Sequence, residues 1–114
     1  MNWTFDHIAQ VVPDIAAAVE FYISLVPGSA VLFQDDTWAF IEVGGVKLAF
    51  VVRDQHPGHL AWRVSKDILA EQAVKYGKTP VSHRDGTQSF YLDGPAGQHI
   101  EIISFDGSDW ERSV

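Results

Sequence analysis

The chain has 114 residues, a net charge of −7 from 15 acidic and 8 basic side chains, and no cysteine. Nucleic acid and anionic membranes are disfavoured as partners because both require clustered Lys and Arg. The missing cysteine excludes a disulfide scaffold, a cysteine-ligated zinc site and thiol catalysis. The sequence contains neither an apolar run of about 18 residues nor a basic segment before an apolar stretch. We therefore expect a cytoplasmic protein with a single domain, residues 1–114.

The first half of the chain predicts a strand, a helix and three further strands. Residues 4–11 alternate between apolar and polar side chains, which is typical of a strand with His7 and Ala9 on one face. Pro13 suits the first position of a helix, and the apolar stripe from Ile15 to Val26 has helical spacing. Three strands are then predicted near residues 29–34, 37–43 and 46–52.

The second half predicts the same order of elements. A strand over residues 58–64 is followed by Ser65, a suitable N-cap, and by a helix that ends before Gly77. Strands are predicted at about 79–83, 87–93 and 98–104. The C-terminal tail, residues 105–114, is mostly polar from Asp106 onward, with Trp110 as an exception, and we expect it to lie over the surface or to fray.

The two halves are copies of one unit. The segment His7-Ile8-Ala9 corresponds to His59-Leu60-Ala61, and the same spacing of 52 residues relates Gly45 to Gly97. Module 1 covers about 4–52 and module 2 about 56–104. The sequence therefore predicts an α+β fold in which a βαβββ module occurs twice.

Three residues at equivalent positions of the repeat could bind a metal ion. His7 and His59 lie on the first strands of the two modules, and Glu101 lies on the last strand of module 2, where module 1 has Ala49. A carboxylate among apolar neighbours is costly unless it is paired or coordinated. Two imidazoles and one carboxylate suit divalent Fe, Mn, Zn or Ni, and they leave coordination positions open for a substrate.

Several segments resemble the vicinal oxygen chelate superfamily, which includes glyoxalases, bleomycin resistance proteins and extradiol dioxygenases. They are Phe5–Ala9, Phe21-Tyr22, Gly58–Ala61 and the stretch from Asp93 to Ile102, which is similar to the signature Asp-Pro-x-Gly-x-x-Ile-Glu-Leu with Gly94 inserted. The resemblance implies paired βαβββ modules that form a curved half-barrel around a cavity. It also implies a divalent metal ion on His7, His59 and Glu101 that chelates neighbouring oxygens of a small-molecule substrate.

The resemblance leaves the reaction class open. Glyoxalase I has a fourth, carboxylate ligand at the position of Ala49, which cannot coordinate a metal. Ser89-Phe90-Tyr91 is similar to a segment of the fosfomycin thiol transferases, whose Ser and Tyr line the substrate site, but Ala9 stands where those enzymes have Thr. Lyase, isomerase, thiol transferase and dioxygenase activities therefore all stay open.

Other residues are candidates for substrate binding and catalysis. Tyr91 is expected to donate a hydrogen bond to a substrate oxyanion, and it shares a strand face with Ser89. His99 lies on the Glu101 face and is expected either to act as an acid and base or to lie at the rim. Arg63 is a candidate for binding a substrate carboxylate. Four aromatic residues are expected in the core or at an interface: Trp38, Phe40, Phe50 and Trp62.

A second functional hypothesis is a protein that sequesters a ligand without catalysis. Proteins of the bleomycin-resistance type share the expected fold, are acidic and bind a cationic drug at a dimer interface, and the charge of −7 suits this interpretation. Members of the superfamily are commonly homodimers, so a homodimer is expected under either hypothesis.

Overall fold

The computed structural model describes residues 3–52 and 57–107. Within them, eight strands and two α-helices follow one another in the order predicted from the repeat. Both the α+β class and the pair of βαβββ modules are therefore confirmed. The elements are β1 (Thr4–Val11), α1 (Ile15–Leu25), β2 (Ala30–Gln34), β3 (Trp38–Val43), β4 (Val46–Val51), β5 (His59–Arg63), α2 (Lys66–Tyr76), β6 (Val81–Ser82), β7 (Gln88–Asp93) and β8 (His99–Ser104).

Three predicted boundaries were wrong. Helix α1 begins at Ile15 rather than Pro13, because the Asp14 side chain accepts a hydrogen bond from the backbone N–H of Ala17 and caps the helix. It ends at Leu25, with Val26 already in an extended conformation. Strand β6 is only two residues long, because only residues 81 and 82 of the predicted segment pair with β7.

In module 1, the helix covers one face of four strands. The strand order is β2-β3-β4-β1, with β1 and β4 parallel and Ala9 opposite Ala49. Because side chains alternate along a strand, Phe50 faces the helix while Ala49 and His7 lie on the other face. The buried core against α1 consists of Ile15, Val19, Ala39, Ile41 and Phe50.

Module 2 repeats this arrangement. The strand order is β5-β8-β7-β6, and helix α2 begins at the Ser65 cap and ends at Gly77, which has the left-handed conformation that favours glycine. Glu101 and Tyr91 are cross-strand partners on the face opposite the helix. The core against α2 consists of Val64, Leu69, Ala73, Phe90 and Ile102.

Equivalent hydrogen bonds in the two modules support the duplication. The backbone N–H of Val12 donates to the Val51 carbonyl over 2.9 Å, and that of Val64 donates to the Ile103 carbonyl over the same distance. In each module an aspartate also closes the turn before the third strand: Oδ1 of Asp35 accepts from the backbone and side chain of Thr37, and Oδ1 of Asp85 accepts from those of Thr87.

The prediction that the tail lies over the surface or frays is wrong for Phe105, which is buried, whereas the exposed Asp106 lies over the start of α2. Phe105 is buried with Ala61 and Ile103, and the Asp106 carboxylate accepts a hydrogen bond from the Lys66 backbone N–H over 2.7 Å. This bond satisfies one of the free N–H groups at the start of α2. The rest of the predicted tail, residues 108–114, lies outside the described residues.

By internal contacts the chain divides into two compact units. One is Asp6–Leu60, and the other contains the remaining described residues. Both candidate histidines, His7 and His59, thus belong to the first unit. Among the helices of the described ranges, none is long and apolar enough to cross a membrane.

The core of module 1 predicts a large effect of truncating Phe50, whose side chain is 0% exposed. Phe50→Ala should lower the free energy of unfolding by about 3–5 kcal/mol, because it removes apolar contacts and leaves a cavity. Urea unfolding measures the change, and Val74→Ala, at a position 83% exposed, should stay within about 0.5 kcal/mol of wild type. Equal losses in the two variants would contradict the assigned core.

Candidate metal centre

His7 is held in one tautomer by its neighbour in the sequence. Its ring Nδ1 lies 2.6 Å from Oδ2 of Asp6, and the two residues are only 9% and 5% exposed. An ionised carboxylate only accepts hydrogen bonds, so the neutral imidazole has its proton on Nδ1 and a lone pair on Nε2. A carboxylate in this position is the usual outer partner of a metal-binding histidine.

His59 is held in the same tautomer by a backbone group. Its Nδ1 lies 2.8 Å from the carbonyl oxygen of Pro57, which can only accept. Gly58 stands between Pro57 and His59 and lets the chain pass close to β1. A Cβ atom at this position would lie only 3.3 Å from the Ala9 carbonyl oxygen. The Nε2 atom of His59 is therefore also an acceptor.

The two Nε2 atoms face each other at 3.2 Å. Two acceptors at this distance repel each other unless a proton or a cation lies between them. The spacing fits a metal ion, because two imidazole nitrogens that each lie about 2.1 Å from one ion are about 3 Å apart when they subtend a right angle. The ring of Phe40 contacts His7 edge to face at 5.6 Å and helps to fix it.

Glu101 is the carboxylate of the candidate centre. It is 5% exposed on β8, and the hydroxyl of Tyr91 on β7 donates a hydrogen bond to it. Burial, together with the negative charge of Glu101 and this hydrogen bond, raises the pKa of Tyr91 above its ordinary range. The Tyr91 hydroxyl therefore stays protonated and acts as a donor.

One ligand atom from each of His7, His59 and Glu101 lies within 4.8 Å of the other two. Among residues 3–52 and 57–107 this is the one group of three or more acidic, histidine or cysteine side chains with such geometry. Two imidazole nitrogens and one carboxylate oxygen form a donor set that suits divalent Fe, Mn, Zn or Ni. These are the three residues that equivalent positions of the repeat select, and their role as metal ligands stays a prediction.

The predicted substrate residues of module 2 lie on the same strand face as Glu101. Ser89 is 1% exposed, and its hydroxyl lies 2.7 Å from Nε2 of His83, a residue that sequence analysis did not select. Arg63 stacks its guanidinium over the Phe105 ring at 4.0 Å. Its Nη1 is buried and has no hydrogen-bond partner among the described residues.

His99 lies at the exposed end of β8. Its side chain is 43% exposed, and Nδ1 is 3.9 Å from the Asp93 carboxylate, which is almost fully exposed. The cross-strand register pairs these two residues. This position agrees with the expectation of a rim residue on the Glu101 face, and an acid and base role for His99 stays a prediction.

The sequence did not single out Asp6. Strict alternation along β1 predicts that Asp6 and His7 point to opposite faces, whereas the two side chains meet. The available signal was chemical: Asp6 is the one carboxylate of its predicted strand and stands directly before a predicted ligand, and a carboxylate in a strand that is buried needs a partner.

Comparison with solved structures identifies the fold. A hypothetical protein from Bacillus halodurans C-125 is 22% identical over 91% of this chain and 95% of its own, with a TM-score of 0.69. A glyoxalase/bleomycin resistance protein/dioxygenase superfamily member from Vibrio splendidus 12B01 is 16% identical over 89% and 99%, with a TM-score of 0.64. The chain has the fold of this superfamily.

A larger protein shares this fold. The Mn(II)-bound glyoxalase from Novosphingobium aromaticivorans is 20% identical over 94% of this chain, with a TM-score of 0.63, and the chain spans 42% of its length. No family model and no curated protein matches the sequence. The resemblance noted in the sequence is thus confirmed at the level of the fold.

The Asp6–His7 contact predicts that Asp6→Asn weakens divalent metal binding by about 10- to 100-fold, because a neutral amide polarises the imidazole less than a carboxylate does. Isothermal titration with Zn²⁺ measures the affinity. Asp36→Asn, a change of the same type at an exposed position of the same unit, should leave the affinity unchanged. An Asp6→Asn protein that folds and binds Zn²⁺ as wild type does would refute the role of Asp6.

Proposed function

We propose that this chain is a metal-dependent enzyme of the glyoxalase/bleomycin resistance protein/dioxygenase superfamily. A divalent metal ion is held by His7, His59 and Glu101, and the substrate is a small molecule with neighbouring oxygens. The facing pair of imidazole acceptors, Nε2 to Nε2 at 3.2 Å, is the observation that carries this proposal. A bound cation relieves their repulsion and also neutralises the buried carboxylate.

The protein groups prepare the centre before a substrate arrives. When bound, the metal ion supplies Lewis-acid stabilisation to negative charge that develops on the chelating oxygens. Asp6 and the Pro57 carbonyl orient both imidazoles through Nδ1, so that both Nε2 atoms point toward the proposed ion. The Tyr91 hydroxyl holds the Glu101 carboxylate, and three protein ligands leave positions for water or for substrate oxygens.

Module 2 supplies the proposed substrate contacts. Tyr91, whose single hydroxyl proton is donated to Glu101 before substrate binds, would turn that hydrogen bond to a substrate oxygen in the complex, and Ser89 lies on the same strand face. The buried Nη1 of Arg63 favours an anionic oxygen of the substrate, since a guanidinium donor without a partner is costly. His99, at the exposed end of β8, exchanges protons with solvent as acid and base.

The proposal covers lyase, isomerase, thiol transferase and dioxygenase reactions, because all of them can start from chelation of two substrate oxygens. That a glyoxalase with the same fold contains Mn(II) supports a divalent ion. We also propose that the protein is cytoplasmic, as expected from its sequence, and a homodimer, as its resemblance to the superfamily implies.

A binding protein that sequesters a cationic ligand is the second candidate. The net charge of −7 favours it, because an acidic surface attracts cations and raises their local concentration. This function requires no metal ion, so metal binding separates the two candidates.

The test is a metal titration of protein purified without chelator. Wild type should bind one Mn²⁺ or Zn²⁺ per chain, and His7→Ala and Glu101→Gln should each weaken binding by more than about 100-fold, because each removes a ligand. His83→Ala serves as a control, since His83 contacts Ser89 rather than the centre. If wild type binds no divalent ion above background, the enzyme proposal fails and the sequestering function is favoured.

A further inference from the structure

The compact unit Asp6–Leu60 is strongly acidic. Its residues 6–52 and 57–60 contain six carboxylates but only one Lys or Arg side chain, Lys47. The carboxylates are those of Asp6, Asp14, Glu20, Asp35, Asp36 and Glu42. In an acidic environment an isolated positive charge is a preferred place for an anion, so the position of Lys47 is informative.

Lys47 lies beside His7. Strands β1 and β4 are parallel with Ile8 opposite Leu48, so His7 and Lys47, one residue earlier on each strand, are neighbours on the same strand face. The Phe40 ring contacts both side chains: its centroid lies 5.6 Å from that of the His7 ring and 5.8 Å from the Lys47 ammonium. This positive charge is thus next to a proposed ligand of the metal ion and belongs to the same compact unit.

The Lys47 ammonium is half-buried and has no anionic partner. It forms no salt bridge within residues 3–52 and 57–107, although Glu42 is its cross-strand partner. The Glu42 side chain is exposed, whereas the Lys47 ammonium lies over the Phe40 ring. A ring face attracts the positive charge but does not replace a carboxylate as acceptor for its three N–H groups. The ammonium is therefore held in place and is able to bind an anion.

The equivalent position in module 2 shows a different arrangement. Through the spacing of 52 residues Lys47 corresponds to His99, whose cross-strand partner is Asp93. These two side chains approach each other, with Nδ1 of His99 at 3.9 Å from the Asp93 carboxylate. Module 2 thus brings the basic residue of this position toward a carboxylate of its own, and module 1 keeps Lys47 apart from Glu42.

A positive charge in this place is explained better by the substrate than by the metal ion. A cation beside a metal-binding histidine opposes binding of a metal ion, so Lys47 does not serve the ion itself. An anionic group on the substrate offsets this cost, because it pairs with the ammonium while other oxygens of the substrate chelate the ion.

We propose that Lys47 is a specificity-determining residue that binds an anionic group of the substrate, separate from the two oxygens that chelate the metal ion. The proposal rests on the proposed function, because the metal centre positions the chelating oxygens and Lys47 selects what is attached to them. The substrate class is therefore an acid that carries a carboxylate or similar anion beside its vicinal oxygens, rather than a neutral compound.

Pairs of hydroxamates test this inference, because both members of a pair chelate through the same two oxygens and differ only in their terminal group. Malonic, succinic and glutaric monohydroxamates end in a carboxylate, and propiono-, butyro- and valerohydroxamate end in a methyl group at the same position. Calorimetry with the Zn²⁺-loaded protein should show at least about 10-fold tighter binding of the carboxylate for at least one chain length. This preference should decrease as NaCl is added, because salt screens a half-buried ion pair in part.

Lys47→Gln should reduce the preference to about twofold or less, because an amide carries no charge, and Lys47→Arg should retain most of it. Lys75→Gln is the matched control, because the Lys75 ammonium also lies over an aromatic ring, that of Tyr76 at 5.3 Å, but is exposed on α2. This variant should keep the full preference. If Lys47→Gln does not fold, Lys47→Met decides the question, since its apolar chain still packs on Phe40.

The possible failures are distinguishable. If no hydroxamate binds the wild-type protein, the metal centre and the proposed function fail, and this inference fails with them. If the members of every pair bind wild type equally, or if the preference persists in a folded Lys47→Gln or Lys47→Met protein, Lys47 does not select the substrate and the metal-dependent function stands.

Discussion

The candidate site depends on the contact between the imidazoles of His7 and His59, whose Nε2 atoms lie 3.2 Å apart. The tautomers of His7 and His59 follow from the groups behind them, a carboxylate and a backbone carbonyl, neither of which can donate. At 3.2 Å the two lone pairs favour a cation between them. In each module the helix packs against one face of the strands. The other face, which we call the ligand face, carries His7 in module 1 and Glu101 in module 2 and is not covered by the helix of that module.

Duplication followed by divergence explains how so short a chain supports a site. Each module contributes a histidine from its first strand, and equivalent backbone hydrogen bonds recur in both. Once the backbone is fixed in this way, residues on the ligand face change with little effect on the core. Ala49 and Glu101 occupy equivalent positions, one adding an apolar surface and the other a metal ligand.

The sequence was most informative where the repeat constrained it. Equivalent positions selected His7, His59 and Glu101, and alternation along β8 assigned Glu101 to the face away from the helix. The sequence was less informative where a side chain forms a local hydrogen bond with the backbone or with an adjacent side chain. The hydrogen bond from Ala17 to Asp14 moved the helix start, and the Asp6–His7 contact crosses the strand in a way that alternation does not allow.

The aromatic residues show a different limit. Residue type alone placed Trp38, Phe40 and Phe50 together as core or interface, but strand register separates them, because Phe50 faces α1 and the other two face His7. The register between β3 and β4 pairs Trp38 with Val51 and Phe40 with Ala49, and so places both rings on the face opposite Phe50.

The most direct test of the central claim is the proton position on the two imidazoles, read by long-range ¹H–¹⁵N NMR of histidine-labelled protein without metal. The structure requires the proton on Nδ1 and a lone pair on Nε2 for both His7 and His59, and addition of Zn²⁺ should shift both Nε2 resonances. A neutral imidazole with its proton on Nε2 at either residue, or Nε2 resonances that do not respond to Zn²⁺, would contradict the account.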